Sequence, residues 1–229
     1  MKKKDDISDL YNQANGTVCI LGAGPSIFYI DRKEIEKQEC IYVNSDALLL
    51  SEKPDGVRRM WLSTDRLSMK WSYFWDNVVK SECVKLGSVS FKKYEKHLAR
   101  FDFRYFEVRK KIEINNIFDG CLYGVSSVIS AIDLALKMGY EKILLFGVDQ
   151  RFIQGKSHFW QFYPPNKQPK FSGGKNVSMQ EQKKIFEKNI PYFKELKRVA
   201  SEMKVEIINC AKRTSALNVF PKLEEKECD

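Results

Sequence analysis

The residues best placed to do chemistry come in short groups, each at the end of an apolar run. Gly22-Ala23-Gly24-Pro25-Ser26 follows Val18–Leu21, Asn44-Ser45-Asp46 follows Cys40–Val43, Ser63-Thr64-Asp65 follows Arg58–Leu62, and Asp149 follows Lys142–Val148. An apolar run stopped by glycine or small polar residues reads as a strand buried on both faces of a parallel sheet. Polar residues directly after such strands sit at the carboxyl edge, where open α/β sheets place ligands. In the first group the glycines let backbone approach a ligand with no Cβ in the way. Pro25 suits the first turn of a helix and Ser26 can cap it, so free N–H groups would face an anion. The turn is not the dinucleotide fingerprint, because Ile27 stands where a third glycine is required, and no Gly-Lys-Ser/Thr follows to make a Walker loop. It is therefore either a phosphate cradle or a strand-to-loop corner with no ligand. Asn44 and Asp46 likewise either face a ligand or cap the next helix.

Of the two histidines, His97 stands among Tyr94, Lys96 and Arg100 and reads as surface. His158, in Lys156-Ser157-His158-Phe159-Trp160, is the histidine that could act as a base. With an unperturbed pKa near 6.5, such a group can take a proton from an attacking hydroxyl. Its alternative is an ordinary loop histidine stacked on Trp160. Arg151, Lys156 and Lys175 could neutralise a leaving phosphate. There is no Asp-x-Asp pair, so no metal is expected; a Mg²⁺ ion would need Asp46, Asp65 or Asp149 to meet in space.

These groups need a frame. A chain of 229 residues with 43% apolar content can bury a core, and residues 1–229 read as a single α/β domain with a Rossmann-like, mainly parallel sheet and helices on both faces. Expected elements include a polar helix over 5–15, an aromatic stretch Trp71–Trp75 buried as core, a strand over 83–86, and a half-buried alternation at Phe101, Phe103 and Tyr105. A buried helix opened by Gly120–Ser127 and closed by Gly139 follows. After Asp149 the segment over about 151–178, aromatic, proline-bearing and glycine-rich, reads as a lid. Residues 179–203 form a long amphipathic helix that Pro191 should break or kink, and a last strand covers 205–210. No run of about 18 apolar residues is present and no apolar segment follows the basic start, so neither a membrane span nor a secretory signal is expected. The six scattered cysteines fit reduced thiols in a cytoplasmic protein. The formal charge of +9 is spread along the chain. It leaves nucleic acid, an anionic membrane surface met peripherally, or phosphorylated substrates as partners.

The order strand-Gly-x-Gly-Pro-Ser, buried helix after Gly124, strand-Gly147-Val148-Asp149 and terminal strand before Ser215-Ala216-Leu217 resembles one superfamily. It holds bacterial CMP-sialic-acid sialyltransferases of lipooligosaccharide synthesis, proteins related to 6-hydroxymethylpterin diphosphokinase, and motility accessory factors. The resemblance covers residues 17–50, 120–150 and 205–220. It implies that Gly22, Gly24, Pro25, Ser26 and Asn44 bind the donor nucleotide, with further contacts at Ser63, Thr64 and Asp65. It also puts Tyr123-Gly124 at the helix turn, where the expected hydroxyl comes from the phenol or from Ser126. Asp149 matches the aspartate after the Gly-Ile/Val-Asp strand, and His158 resembles the His-Phe/Trp that follows it in the branch of unknown function; these two are the catalytic candidates. The chain departs from the sialyltransferase pattern, which carries its lid histidine near Ser172-Gly173-Gly174-Lys175; here that stretch has none. The function expected is a nucleotide-sugar glycosyltransferase acting on a glycan or related acceptor, with a CMP-activated sugar as one candidate donor and no cofactor beyond the donor. The alternatives are a Mg²⁺-dependent diphosphokinase and a non-enzymatic nucleotide- or nucleic-acid-binding module.

Overall fold

The computed structural model describes residues 7–31, 33, 35, 37–50, 56–109, 121–123, 126–172, 178–211 and 215–223. The apolar runs form β1 (Thr17–Leu21), β2 (Glu39–Val43), β3 (Arg59–Ser63), β4 (Val84–Ser88), β5 (Phe103–Arg109), β6 (Cys121–Tyr123), β7 (Lys142–Phe146) and β8 (Glu206–Asn209). They make one eight-stranded sheet in the order β6-β5-β4-β3-β2-β1-β7-β8, and every pairing is parallel. Parallel pairing puts all carboxyl ends on one edge. From β1 the chain steps outward through β2 to β6, then returns to β7 on the other side of β1. The switch point of the topology, where open sheets leave a crevice, therefore lies between the tips of β1 and β7.

Alternating residues divide the core. Val18, Ile20, Ile41, Val43, Met60 and Leu62 face one side and pack with helices α1 (Ser127–Met138) and α2 (Met179–Glu202). Cys19, Leu21, Cys40, Tyr42 and Trp61 face the other, which is covered by short 3₁₀ and π turns and by the aromatics of residues 73–105. Helix α1 starts where Ser126 Oγ accepts the Ile129 N–H at 3.4 Å, and it ends at Gly139, whose φ of 95° lets its N–H reach back to the last carbonyls. In α2 the buried residues Asn189, Phe193, Leu196 and Ala200 form one stripe, and Ser178 with Glu181 makes a capping box.

Several expectations are corrected. The helix over 5–15 is, in its described part, only a 3₁₀ turn at Ser8–Leu10. Asn12 turns left-handed (φ 52°), and the N–H groups of Asn12 and Ala14 bond to the Lys137 and Met138 carbonyls at the end of α1. The helix expected from Gly120 begins only at Ser127, because Cys121–Tyr123 extends the sheet beside β5. Pro191 does not break α2. It is exposed, so the carbonyl it leaves unbonded can be solvated. Ser26 does not cap the turn Pro25–Tyr29, whose N-cap is Gly24. Among the described residues no helix is long and apolar enough to cross a membrane.

The glycine after β7 is fixed by geometry. Gly147 has φ 64°, and a Cβ there would run into the Gly22 carbonyl oxygen. Gly147→Ala combines a left-handed L-residue with an overpacked contact and should cost on the order of 3 kcal/mol in urea denaturation. An unchanged midpoint would show that the two strand tips are not interlocked.

Candidate functional site

At the β1 and β7 tips the chain closes on itself. The Gly24 N–H bonds to the Gly147 carbonyl at 2.7 Å, and the Ser26 N–H donates to Asp149 Oδ2 at 2.8 Å. A Cβ on Gly24 would lie 2.5 Å from both Asp149 Oδ2 and the Gly147 oxygen. Gly22 and Gly24 are therefore glycines for the close approach of the β7 turn, and these N–H groups are satisfied by the protein itself. Asp149 is 2% exposed. Burial raises its pKa, while the contact with Ser26 and the charge of Arg151 pull it partly back. The turn after β8 supports the same clamp: Ser215 Oγ–H donates to the Val148 carbonyl at 2.9 Å and the Ala216 N–H to the Asp149 carbonyl at 2.8 Å.

The open space lies one step along the edge, at the tips of β2 and β3. A cleft of about 310 Å³ is lined there by Asn44, Asp65, Trp71, His158, Trp160 and Gln161, among others. Its outer wall is the lid, anchored at two places. The Phe159 N–H donates to the Ala23 carbonyl at 2.8 Å, and residues 170–172 pair with residues 70–72 through Ser72 N–H to Lys170 O and Ser172 N–H to Lys70 O, each 2.8 Å. Phe28, on the turn after the glycines, meets the lid rings of Phe159, Phe162 and Tyr163 edge-on at 5.7 to 6.2 Å.

Inside the cleft the polar groups are mutually oriented. Ser127 Oγ–H donates to Asn44 Oδ1 at 3.1 Å while its oxygen takes the Thr64 N–H and the Thr64 hydroxyl, both at 2.9 Å. That uses the single donor and both acceptor sites of Ser127 and leaves the Asn44 amide N–H groups as the unspent donors. His158 Nδ1 lies 2.8 Å from Ser157 Oγ, and Gln161 Oε1 accepts the N–H of both Ser157 and His158. The imidazole packs on Trp160 with ring centroids 5.4 Å apart. Packed on that ring and lining the cleft, it has its pKa lowered by desolvation to about 4 and is neutral at physiological pH.

The predicted residues thus separate. Asn44, Asp65 and His158 line the cleft, and Thr64 stands behind Asn44 through Ser127. Ser63 is buried with its hydroxyl on the Asp65 backbone, and Ser126 caps α1. Gly22, Gly24, Pro25, Ser26 and Asp149 form the neighbouring clamp. Tyr123 lies in β6 at the far edge of the sheet, while Gly124 and Lys175 fall outside the described residues. Lys156 sits over the Phe162 ring at 4.1 Å and Arg151 is exposed; neither is in the cleft lining. Asp46, Asp65 and Asp149 do not come together: among the described residues no three His, Cys, Asp or Glu groups could hold a metal ion. Sequence reasoning missed Ser127, Ser157, Gln161 and the cleft-facing roles of Trp71 and Tyr73. A hydroxyl pair at Ser126-Ser127 was visible, but only the helix start decides which one caps and which one reaches β2.

Neither a family model nor a curated protein matches the sequence. Among solved structures, a MAf glycosyltransferase from Magnetospirillum magneticum AMB-1 is similar over 98% of this chain with a TM-score of 0.57 and 16% identity, which shows a shared fold. The chain spans only 36% of that protein's length. The sialyltransferase CstII from Campylobacter jejuni, in complex with cytidine-5'-monophosphate, aligns over 91% of this chain and 85% of its own at 14% identity with a TM-score of 0.44. The same enzyme with CMP-3FNeuAc gives 92% and 86%, 12% identity and 0.47. Scores of that size carry no argument.

Asp46 has a separate consequence. It is fully buried directly after the cleft residues Asn44 and Ser45, and neither carboxyl oxygen finds a hydrogen-bond partner among the described residues. Burial holds its pKa well above the ordinary 3.8. The unfolded chain ionises first as pH rises, so stability is lost at about 1.4 kcal/mol per pH unit until the folded carboxyl titrates. Asp46→Asn cannot ionise. It should be more stable than the parent at pH 8 with the gap shrinking toward pH 4, measured by urea unfolding; a gap independent of pH would mean a partnered carboxylate.

Proposed function

We propose that the chain is a nucleotide-sugar-dependent glycosyltransferase in which His158 is the general base. The observation that carries this reading is a neutral imidazole held by Ser157 in a cleft at the carboxyl edge of a parallel sheet, next to the peptide that is bonded to the switch-point turn. The resemblance read from the sequence, and the glycosyltransferase named among the proteins that share the fold, support the same class.

The donor belongs at the switch point, on the side of Gly22–Ser26 and Asn44, with CMP as the first nucleotide to try. The acceptor hydroxyl belongs in the cleft. In the tautomer where Nδ1–H donates to Ser157 Oγ, Nε2 holds the lone pair. It takes the acceptor O–H proton as that oxygen bonds to the anomeric carbon. The bond from that carbon to the donor phosphate breaks, and its electron pair leaves with the phosphate oxygen. Asp149 is buried away from the cleft lining and acts here as a positioning residue for the turn, through Ser26. The amide N–H groups of Asn44, whose oxygen is held by Ser127, are donors available to the leaving oxygen. A low pKa makes His158 a weak base that stays unprotonated down to about pH 4.

Incubating the protein with CMP-, UDP- and GDP-sugars and a glycan panel tests the reading. His158→Ala should lower turnover by roughly 10² to 10⁴ while nucleotide affinity stays unchanged. The acid limb of the rate should fall near pH 4 rather than 6.5, because only the neutral imidazole works. Transfer from none of the donors, or full turnover in the variant, would sink the proposal.

A further inference from the structure

The cleft differs from a phosphate site in what lines it. Its walls are the rings of Trp71, Trp160, Tyr73 and Phe171, and its charged lining residue among those described is a carboxylate, Asp65. Of the basic residues near the lid, Lys156 sits over the ring of Phe162 and Arg151 is absent from the lining. No Lys or Arg among the described residues lines the cleft.

We propose that the cleft is the subsite for an uncharged sugar ring, with Trp71 as its stacking face and Asp65 as the residue that reads its hydroxyls and excludes anions. The naming of this sugar as the acceptor rests on the transferase reading; the chemistry of the subsite does not. Trp71 and Trp160 stand 5.4 Å apart at 57°, so they form a corner. A flat nucleobase is gripped by parallel rings, whereas a corner fits the thicker, puckered chair of a pyranose, whose axial C–H groups can meet the ring faces. Both walls are fixed. Trp160 Nε1–H donates to Ser45 Oγ at 3.1 Å, and Trp71 is held by its backbone bridge to Phe171 with the two rings 4.7 Å apart.

The polar groups complete the pattern. Asp65 Oδ1 accepts the Leu67 N–H at 2.8 Å, which orients the carboxyl and leaves Oδ2 as an acceptor. Gln161 has its oxygen committed to the Ser157 and His158 N–H groups and its amide N–H groups unspent. A sugar hydroxyl both donates and accepts, so a carboxylate and an amide lining the same cleft read it in both senses. A phosphate or carboxylate can only accept, and Asp65 would repel it.

The test is direct binding without any donor. Ligand-observed saturation-transfer NMR and tryptophan fluorescence would be run with neutral mono- and disaccharides, a sialylated trisaccharide, glucose 1-phosphate and cytidine. Neutral sugars should bind and the two anions should bind at least tenfold more weakly. Trp71→Ala should weaken neutral-sugar binding tenfold or more, Trp71→Phe should restore most of it, and Asp65→Asn should weaken neutral sugars while narrowing the gap to the anions. Thermal unfolding of each variant separates a lost contact from a lost fold, and Asp65, being exposed, gives a variant that folds even if Trp71→Ala does not. Binding of cytidine that depends on Trp71, equal binding of the anions, or no binding by any neutral sugar overturns the proposal. Sugar binding without transfer from any donor would defeat the transferase reading and leave this one standing. Transfer that ignores both substitutions would do the reverse.

Discussion

One hydrogen bond ties the chemistry to the frame: the Phe159 N–H on the Ala23 carbonyl. Ala23 is the middle residue of the glycine turn, and Phe159, with no exposed surface, is the residue after His158. His158 is thereby positioned by the tip of β1, although the two are far apart in sequence. That bond holds its place only because the turn itself cannot move. Gly24 and Ser26 are bonded to Gly147 and Asp149, and the Asp149 backbone is bonded to the turn after β8. A buried, partly satisfied carboxylate is costly in isolation, so Asp149 makes sense as the acceptor that fixes the Ser26 N–H and not as a group exposed to solvent.

The glycine turn therefore has a physical reason that does not require a ligand. A G-x-G corner at the switch point of a parallel sheet must let two chain reversals pass within contact distance, and any Cβ at Gly24 would collide with Asp149. A nucleotide bound there would either meet the remaining surface of this turn or displace Asp149 from Ser26. Either outcome transmits to the lid through Ala23, since the turn, the Phe28 ring and the lid aromatics pack as one group. Any displacement of this turn and the placement of His158 are in this way linked by the same few contacts.

Strand positions were legible because strands buried on both faces are continuous apolar runs, and their ends were marked by glycine or small polar residues. The edge strand β6 was not, since Cys121-Leu122-Tyr123 is too short to show a period and only its pairing with β5 defines it. The start of the chain misled because polar residues at helical spacing do not reveal that Asn12 and Ala14 bond to the end of α1. Within the site, Asn44, Asp65 and His158 stood out by type and place. Trp71 did not: the sequence shows an aromatic cluster, and nothing local distinguishes the buried Phe74 from the half-buried Trp71 that faces the cleft.

The charge of the chain and the charge of the cleft point in different directions, and the difference is informative. With a net +9, a long-range attraction for anionic partners is built into the molecule, acting over about 10 Å at moderate salt. Inside the cleft, lined by rings, amides, hydroxyls and Asp65, short-range terms decide instead, and they favour a neutral, hydroxyl-rich group beside an imidazole kept uncharged by its surroundings. Under the proposed function, an anionic donor would be drawn to the molecule without competing for the aromatic corner. His158, bonded through its neighbour to the switch-point turn and lining the cleft, stands between the two regions.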